Sequence, residues 1–287
     1  MNAAVSQSAS PVELKPRPEA QAVPEPQTKA TPALSFDGVT KRFANRTATP
    51  FTAVEGLSFD IAPGEFVSIV GPSGCGKSTV LNMTAGLDRP TEGRVALNGE
   101  AVTGPNVHVG FMLQKDLLLP WRSILRNVEF GLEARPIGKA ERRERALREL
   151  ARCRLQDFAH HYPFQLSGGM RQRAALARTL AIQPDVVLLD EPFSALDAQT
   201  KLLLQRSFAR TIHASGVTTL LITHDLSEAV AMSDRILVMS ERPGRIVEEM
   251  DLDLPHRDDP IARQALPRAR EAIAHLFQSL HLAEREA

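Results

Sequence analysis

The sequence predicts an α/β fold built around a mostly parallel β-sheet, and three observations lead there. Short apolar, β-branched runs at 65–70, 186–189, 218–222 and 235–239 alternate with helical patterns at 79–87, 199–214 and 227–232. Strands that alternate with helices pair in parallel through helical crossovers, and the helices cover both sheet faces. One of these runs leads straight into a glycine-rich loop, and another ends in two neighbouring carboxylates, Asp190 and Glu191. In open α/β sheets ligands gather at the carboxyl ends of the strands.

The elements ahead of that core follow in order. Residues 1–33 are rich in Ala, Pro, Gln and Glu and poor in large apolar side chains. Such a segment buries too little surface to offset its ordering entropy, so it is expected to be disordered. Order is expected from residue 34, with strands at 33–43 and 54–61, the second closed by Pro63-Gly64, and further strands at 94–97 and 107–112. From 123 to 180 the pattern turns helical, with mixed charges and long unbranched side chains. Residues 251–287 read as a helical tail with apolar positions at Ile273, Leu276, Phe277 and Leu280.

Composition narrows the class. The chain has 287 residues, 43% hydrophobic and 24% charged, with 34 basic and 34 acidic side chains and a formal charge of zero. That balance is globular, and the absence of a basic excess argues against a general nucleic-acid binder. Cys75 and Cys153 lie far apart without metal-ligand spacing, as expected of a reducing compartment. No run approaches the roughly 20 apolar residues needed to span a bilayer, and no signal peptide is recognisable, which predicts a cytoplasmic chain.

The glycine loop carries the most specific chemistry. Gly71-Pro72-Ser73-Gly74-Cys75-Gly76-Lys77-Ser78-Thr79 fits G-x-x-x-x-G-K-[ST] between a predicted strand and a predicted helix. Backbone N–H groups of such a loop turn inward to make an anion cradle, and the helix behind adds its positive dipole end. Lys77 can reach the β- and γ-phosphates of a nucleoside triphosphate, and the Ser78 hydroxyl can ligate Mg²⁺.

Other strand ends supply what phosphoryl transfer to water requires. Asp190 is placed to hold the Mg²⁺ shell, and Glu191 to align and partly deprotonate the attacking water. His224 ends the run Leu220-Leu-Ile-Thr-His224, expected beside the strand of Asp190, where it would contact the γ-phosphate. Leu166-Ser167-Gly168-Gly169-Met170 precedes a predicted helix. Ser167 can cap it while the glycines expose its first amides, making a second anion site that a single nucleotide in the same chain does not need.

Taken together, Gly71–Thr79, Gln114, the 166–172 signature, Asp190-Glu191, Ser194-Ala-Leu-Asp197 and His224 resemble the ATPase subunit of ABC transporters. The resemblance implies a P-loop NTPase (RecA-like) sheet with an N-terminal antiparallel β part and an inserted helical subdomain at about 115–178, all within 34–250. It implies ATP and Mg²⁺ as ligands, Gln114 as the loop glutamine touching the metal, and Phe43 as the ring stacking on adenine, with Phe51 the lesser candidate. A second copy would pack head to tail, so that its Ser167, Gly168 and Gly169 meet the γ-phosphate and its Asp197 couples the two sites. The remaining partners would be an integral-membrane permease and, indirectly, an extracytoplasmic solute-binding protein. The chain would then sit peripherally on the cytoplasmic face of the inner membrane.

Local sequence points further. Leu118-Leu-Pro-Trp121-Arg-Ser123, Tyr162-Pro-Phe-Gln-Leu166 and Arg242-Pro-Gly-Arg245 resemble the nitrate, sulfonate and taurine importer group, although Met112-Leu113-Gln114 departs from its more usual Phe-Gln. A soluble ABC ATPase acting on ribosomes or DNA would be expected to carry two ATPase domains or a long coiled-coil insertion. A non-hydrolysing scaffold would be expected to lack Glu191 or His224, and an exporter to carry fused membrane helices. The Lys139 to Arg154 stretch, with interleaved acids and bases, reads as a solvated helix face.

Overall fold

The computed structural model describes residues 31–44, 50–194 and 196–283. In chain order the strands are β1 (Leu34–Phe43), β2 (Phe51–Ile61), β3 (Phe66–Val70), β4 (Glu92–Leu97), β5 (Glu100–Ala101), β6 (Val109–Met112), β7 (Val186–Asp190), β8 (Thr218–Ile222), β9 (Arg235–Met239) and β10 (Ile246–Asp251). The helices are α1 (Lys77–Thr84), α2 (Ile124–Glu129), α3 (Lys139–Arg152), α4 (Gly168–Ala181), α5 (Ala198–Ser215), α6 (Leu226–Met232), α7 (Pro260–Gln264) and α8 (Pro267–Ala283).

Two sheets form. One is antiparallel, in the order β2-β1-β4-β5; the other runs β10-β9-β3-β8-β7-β6 and is parallel except for the edge strand β10. β3 and β8 are buried at every position, because both faces of the parallel sheet are covered. The facing residues of the two sheets, among them Phe36, Leu57, Ile69, Leu188 and Ile222, share one apolar core. The opposite face of the parallel sheet packs Leu189, Leu221 and Phe193 on α4 and α5.

The expected order begins slightly early. Ala33 is buried and its N–H donates to Ile61 O at 2.8 Å. The rest of the disorder expectation, over residues 1–30, lies outside the described residues.

The helical stretch from 123 to 180 is broken rather than continuous. α2 ends at Glu129, one 3-10 turn follows at Phe130–Leu132, α3 starts after Gly138, and Pro163 opens another 3-10 turn before α4. On α3 the pairs Glu141–Arg145 and Glu144–Arg148 line the solvent face while Ala146 and Leu150 are buried. At the far end, α8 is no loose tail. Ala269 and Leu276 are fully buried against Val70, Ala229 and Ile236. Phe277, expected on the apolar face, is exposed.

Candidate functional site

Register delivers the loops to one rim. Ile69 pairs with Ile222, Asp190 with Ile222, Met112 with Leu189 and Val70 with Val238. All five strands are parallel, so their carboxyl ends point the same way. Along the rim come the turn after β9, the glycine loop after β3, His224 after β8, Asp190-Glu191 at the end of β7 and Gln114 after β6.

The glycine loop is shaped by its own residues. Gly76 caps α1 at φ +107°, and a Cβ there would lie 2.5 Å from Val54 Cγ1, so only glycine fits. Lys77 begins the helix, buried, and folds back on the loop: Nζ donates to Gly71 O at 2.7 Å and to Pro72 O at 2.8 Å. Its ammonium also lies 3.8 Å from Cys75 Sγ. Ser73, Gly74 and Ser78 are exposed at the mouth, with Pro72 and Thr79 partly covered. The helix starts at Lys77 and not at Thr79, so the lysine is part of its first turn.

Asp190 and Glu191 differ in environment. Asp190 is half-buried, and its carboxyl is raised above the ordinary range by burial and by neighbouring Glu191, with Lys77 pulling the other way. No hydrogen bond or ion pair engages that carboxylate among the described residues. Glu191 has φ +44°, a left-handed conformation that side chains adopt at a cost, and it is fixed there by its N–H donating to Ile222 O at 2.9 Å. This turn aims the side chain away from the strand line and towards the β8 rim, where His224 Nδ1 lies 3.2 Å from Glu191 Oε2.

A chain of hydrogen bonds continues from Glu191 towards Gln114. Ser194 Oγ donates to Glu191 O at 3.0 Å, and Gln114 Nε2 donates to Ser194 Oγ at 3.0 Å. The Gln114 loop is itself tied to α4. Gln172 Nε2 donates to Gln114 O at 3.2 Å, Arg171 Nε to Asp116 at 3.0 Å, and Arg178 to the Asp116 and Leu117 carbonyls at 2.7 and 2.8 Å. Ser194, Gln172 and Arg178 are links that sequence reading did not single out, because each depends on a contact across the fold. Ser194 and Gln172 carried a partial signal, as members of the Ser194-Ala-Leu-Asp197 run and of the 166–172 signature.

Ser167 caps α4, its Oγ accepting from Met170 N at 3.3 Å, and it is exposed, with Gly168 and Gly169 beside it. Asp197 caps α5, accepting from Thr200 N at 3.0 Å; the Thr200 amide and hydroxyl hold its carboxyl below the usual range. Phe43 stacks on Phe51 with centroids 5.4 Å apart. The two rings thus form one aromatic face.

Among the described residues no three His, Cys, Asp or Glu side chains cluster as metal ligands. Ser78, Asp190 and Gln114 offer only hard oxygen atoms. That set suits Mg²⁺, which keeps waters and phosphate oxygens in its shell and needs one or two protein ligands.

Known proteins resemble this chain in sequence and fold. The family model described as ABC transporter matches residues 54–194. An uncharacterized ABC transporter ATP-binding protein of Methanocaldococcus jannaschii is 47% identical over 229 residues, 79% of this chain and 84% of that one. A taurine import ATP-binding protein of Yersinia pestis is 45% identical over 205 residues, covering 71% and 80% of the two chains. Among solved structures, a dimeric ATP-binding cassette in a post-hydrolysis state with ADP and Pi superposes with TM-score 0.65 at 35% identity, covering 76% of this chain and 98% of that one. The phosphate-loop fold, the rim of strand ends and these relatives agree, and the chain belongs to the ABC transporter family as an ATP-binding, ATP-hydrolysing cassette.

Proposed function

We propose that this cassette is the motor of an importer, closing on a second copy when ATP binds and reopening after hydrolysis. The observation that carries the reading is the shared rim, where the glycine loop, His224, Glu191 and Gln114 leave successive parallel strands. The phosphates of ATP lie in the cradle of residues 71–79, with Lys77 released from Gly71 and Pro72 to reach them. Ser78, Asp190 and Gln114 would hold Mg²⁺, which would neutralise charge on the phosphates. Glu191 orients the attacking water and accepts its proton, and His224 holds Glu191 and the γ-phosphate in register. The outer side of that phosphate is met by the N-terminus of α4 from the second copy, through Ser167, Gly168 and Gly169, while Asp197 of each copy faces the other's site. Exposure of this capped helix end in the single chain supports that role.

A permease has a surface to meet. Trp121 and Phe164 are 72% and 77% exposed, and Leu117, Phe130 and Tyr162 are exposed near them in sequence. Ile124 N donates to His161 O at 2.8 Å and Leu125 N to Ala159 O at 2.9 Å, which joins the segments carrying these side chains. An apolar patch of this kind suits an amphipathic helix from a membrane partner. Its Leu117 and Trp121 side lies on the same loop as Gln114, so a shift of the partner is transmitted through Ser194 to Glu191. No helix among the described residues is long and apolar enough to cross a membrane, so the membrane part belongs to another chain on this reading. The chain then works peripherally at the cytoplasmic face, with a solute-binding protein on the other side. The taurine-import relative supports a small sulfonate, or a related anion such as nitrate, as the solute.

The test is ATP-dependent pairing. Purified Glu191→Gln protein run on size exclusion should elute as a dimer with ATP and as a monomer without it. A variant that stays monomeric with ATP and hydrolyses at the parental rate would refute the motor.

A further inference from the structure

Arg242, in the turn after β9, touches both halves of the nucleotide site. Its Nη2 and Nε donate to Gly74 O at 2.9 and 3.2 Å. Its guanidinium carbon lies 4.8 Å from the centre of the Phe51 ring, the ring that stacks on Phe43. The turn is fixed in place by its own backbone: Gly244 N donates to Ala53 O and Glu55 N to Gly244 O, both at 3.0 Å. Arg245 anchors it further by pairing with Glu55. A Cβ at Gly244 would lie 2.0 Å from Cys75 O, so glycine is what lets the turn rest against the phosphate loop. The Arg242-Pro-Gly-Arg245 run, noticed in the sequence only as a local resemblance, is therefore a structural bracket.

In a trans peptide the carbonyl and the following N–H point in opposite directions. Holding Gly74 O towards Arg242 turns the Cys75 N–H away from it, and the long 3.4 Å contact from that N–H to Pro72 O leaves it only weakly engaged. An anion cradle needs its amides aimed inward. The same guanidinium holds the Phe51 ring by cation–π attraction.

We propose that Arg242 is a positioning residue for ATP, coupling the aromatic face of Phe43 and Phe51 to the phosphate loop so that base and phosphates are gripped as one site. The inference rests on the reading of the glycine loop and the Phe43 face as the ATP site. Arg242 engages the loop backbone and the Phe51 ring rather than Ser78, Asp190, Glu191 or His224, so its loss acts on binding.

The experiment is a double-mutant cycle on the full chain, with KM and kcat for ATP and the affinity for inorganic tripolyphosphate as readouts. Arg242→Ala should raise KM about fivefold, with kcat at saturating ATP within about twofold, a size suited to an exposed charged contact. Tripolyphosphate, which lacks a base, should weaken only about twofold. Arg242→Lys, able to donate and to sit over the ring, should recover part of the KM loss. Phe51→Ala should raise KM similarly, and the double variant should be little worse than either single. Independent effects, multiplying to about 25-fold, would overturn the coupling, as would an unchanged KM, a loss confined to kcat, or no recovery with lysine. Lys77→Ala serves as control. If it still binds ATP, the site itself has been misread; if it loses ATP while Arg242→Ala keeps parental KM, only the role of Arg242 falls.

Discussion

His224 Nδ1 lies 3.2 Å from Glu191 Oε2, although the two residues leave different strands and 33 positions separate them in sequence. The contact exists because β8 pairs directly with β7 and because the left-handed backbone at Glu191 turns its side chain along the rim. It predicts that the two side chains act as a unit. Glu191→Gln and His224→Ala should each lower the rate of phosphate release by about 10²-fold or more, and the double variant should be little slower than the worse single. Stopped-flow phosphate release checks this; multiplying losses would show two independent roles.

Asp190 predicts a conflict between stability and activity. Burial and Glu191 raise its carboxyl pKa in the folded chain, against the pull of Lys77. Folding therefore favours the protonated acid. The cost of the charged form is fully present above the raised pKa and is relieved as pH falls through it towards the ordinary carboxylate value. Asp190→Asn should stabilise the ligand-free chain at pH 7 by on the order of 1 kcal/mol, with a smaller gain near pH 4, while abolishing hydrolysis. Thermal melts at the two pH values decide it, and a lower midpoint at pH 7 would contradict it.

Phe208 predicts a core lesion that reaches the site. It is fully buried edge-on to Phe193, centroids 5.0 Å apart and planes at 71°. Phe193 stands between Glu191 and Ser194 in the turn that leaves β7. Phe208→Ala should cost about 3–5 kcal/mol in urea unfolding, and Phe208→Leu markedly less.

The thiols should be quiet. Cys75 and Cys153 are both buried; burial pushes Cys153 up to about 12 and raises Cys75 despite nearby Lys77. Since the thiolate is the reactive form, maleimide at pH 7 should label the native chain at least about 100-fold more slowly than the urea-unfolded chain, as intact-mass spectrometry would register.

What the sequence made legible was local. The glycine loop, the acidic strand end and the α4 cap each need only a few consecutive residues, so residues 71–79, 190–191 and 167–169 could be named directly. β10 went unread because it is an edge strand, half exposed and carrying Glu248 and Glu249 among its apolar residues. The helical run from 123 to 180 signals its breaks through Gly131, Pro136, Gly138 and Pro163, but where each one ends a helix depends on how the pieces pack. The contacts of Arg242, Gln172 and Ser194 span 168, 58 and 80 positions, and no periodicity records such distances.

The common rim has a consequence for dissection. Its groups are contributed from the glycine loop that opens at Gly71 to Arg242 in the turn after β9, and each is in place only when its own strand has found its neighbours. No excised stretch holds a fraction of the machinery, and a protease cut inside the parallel sheet should erase nucleotide handling outright rather than thin it by degrees.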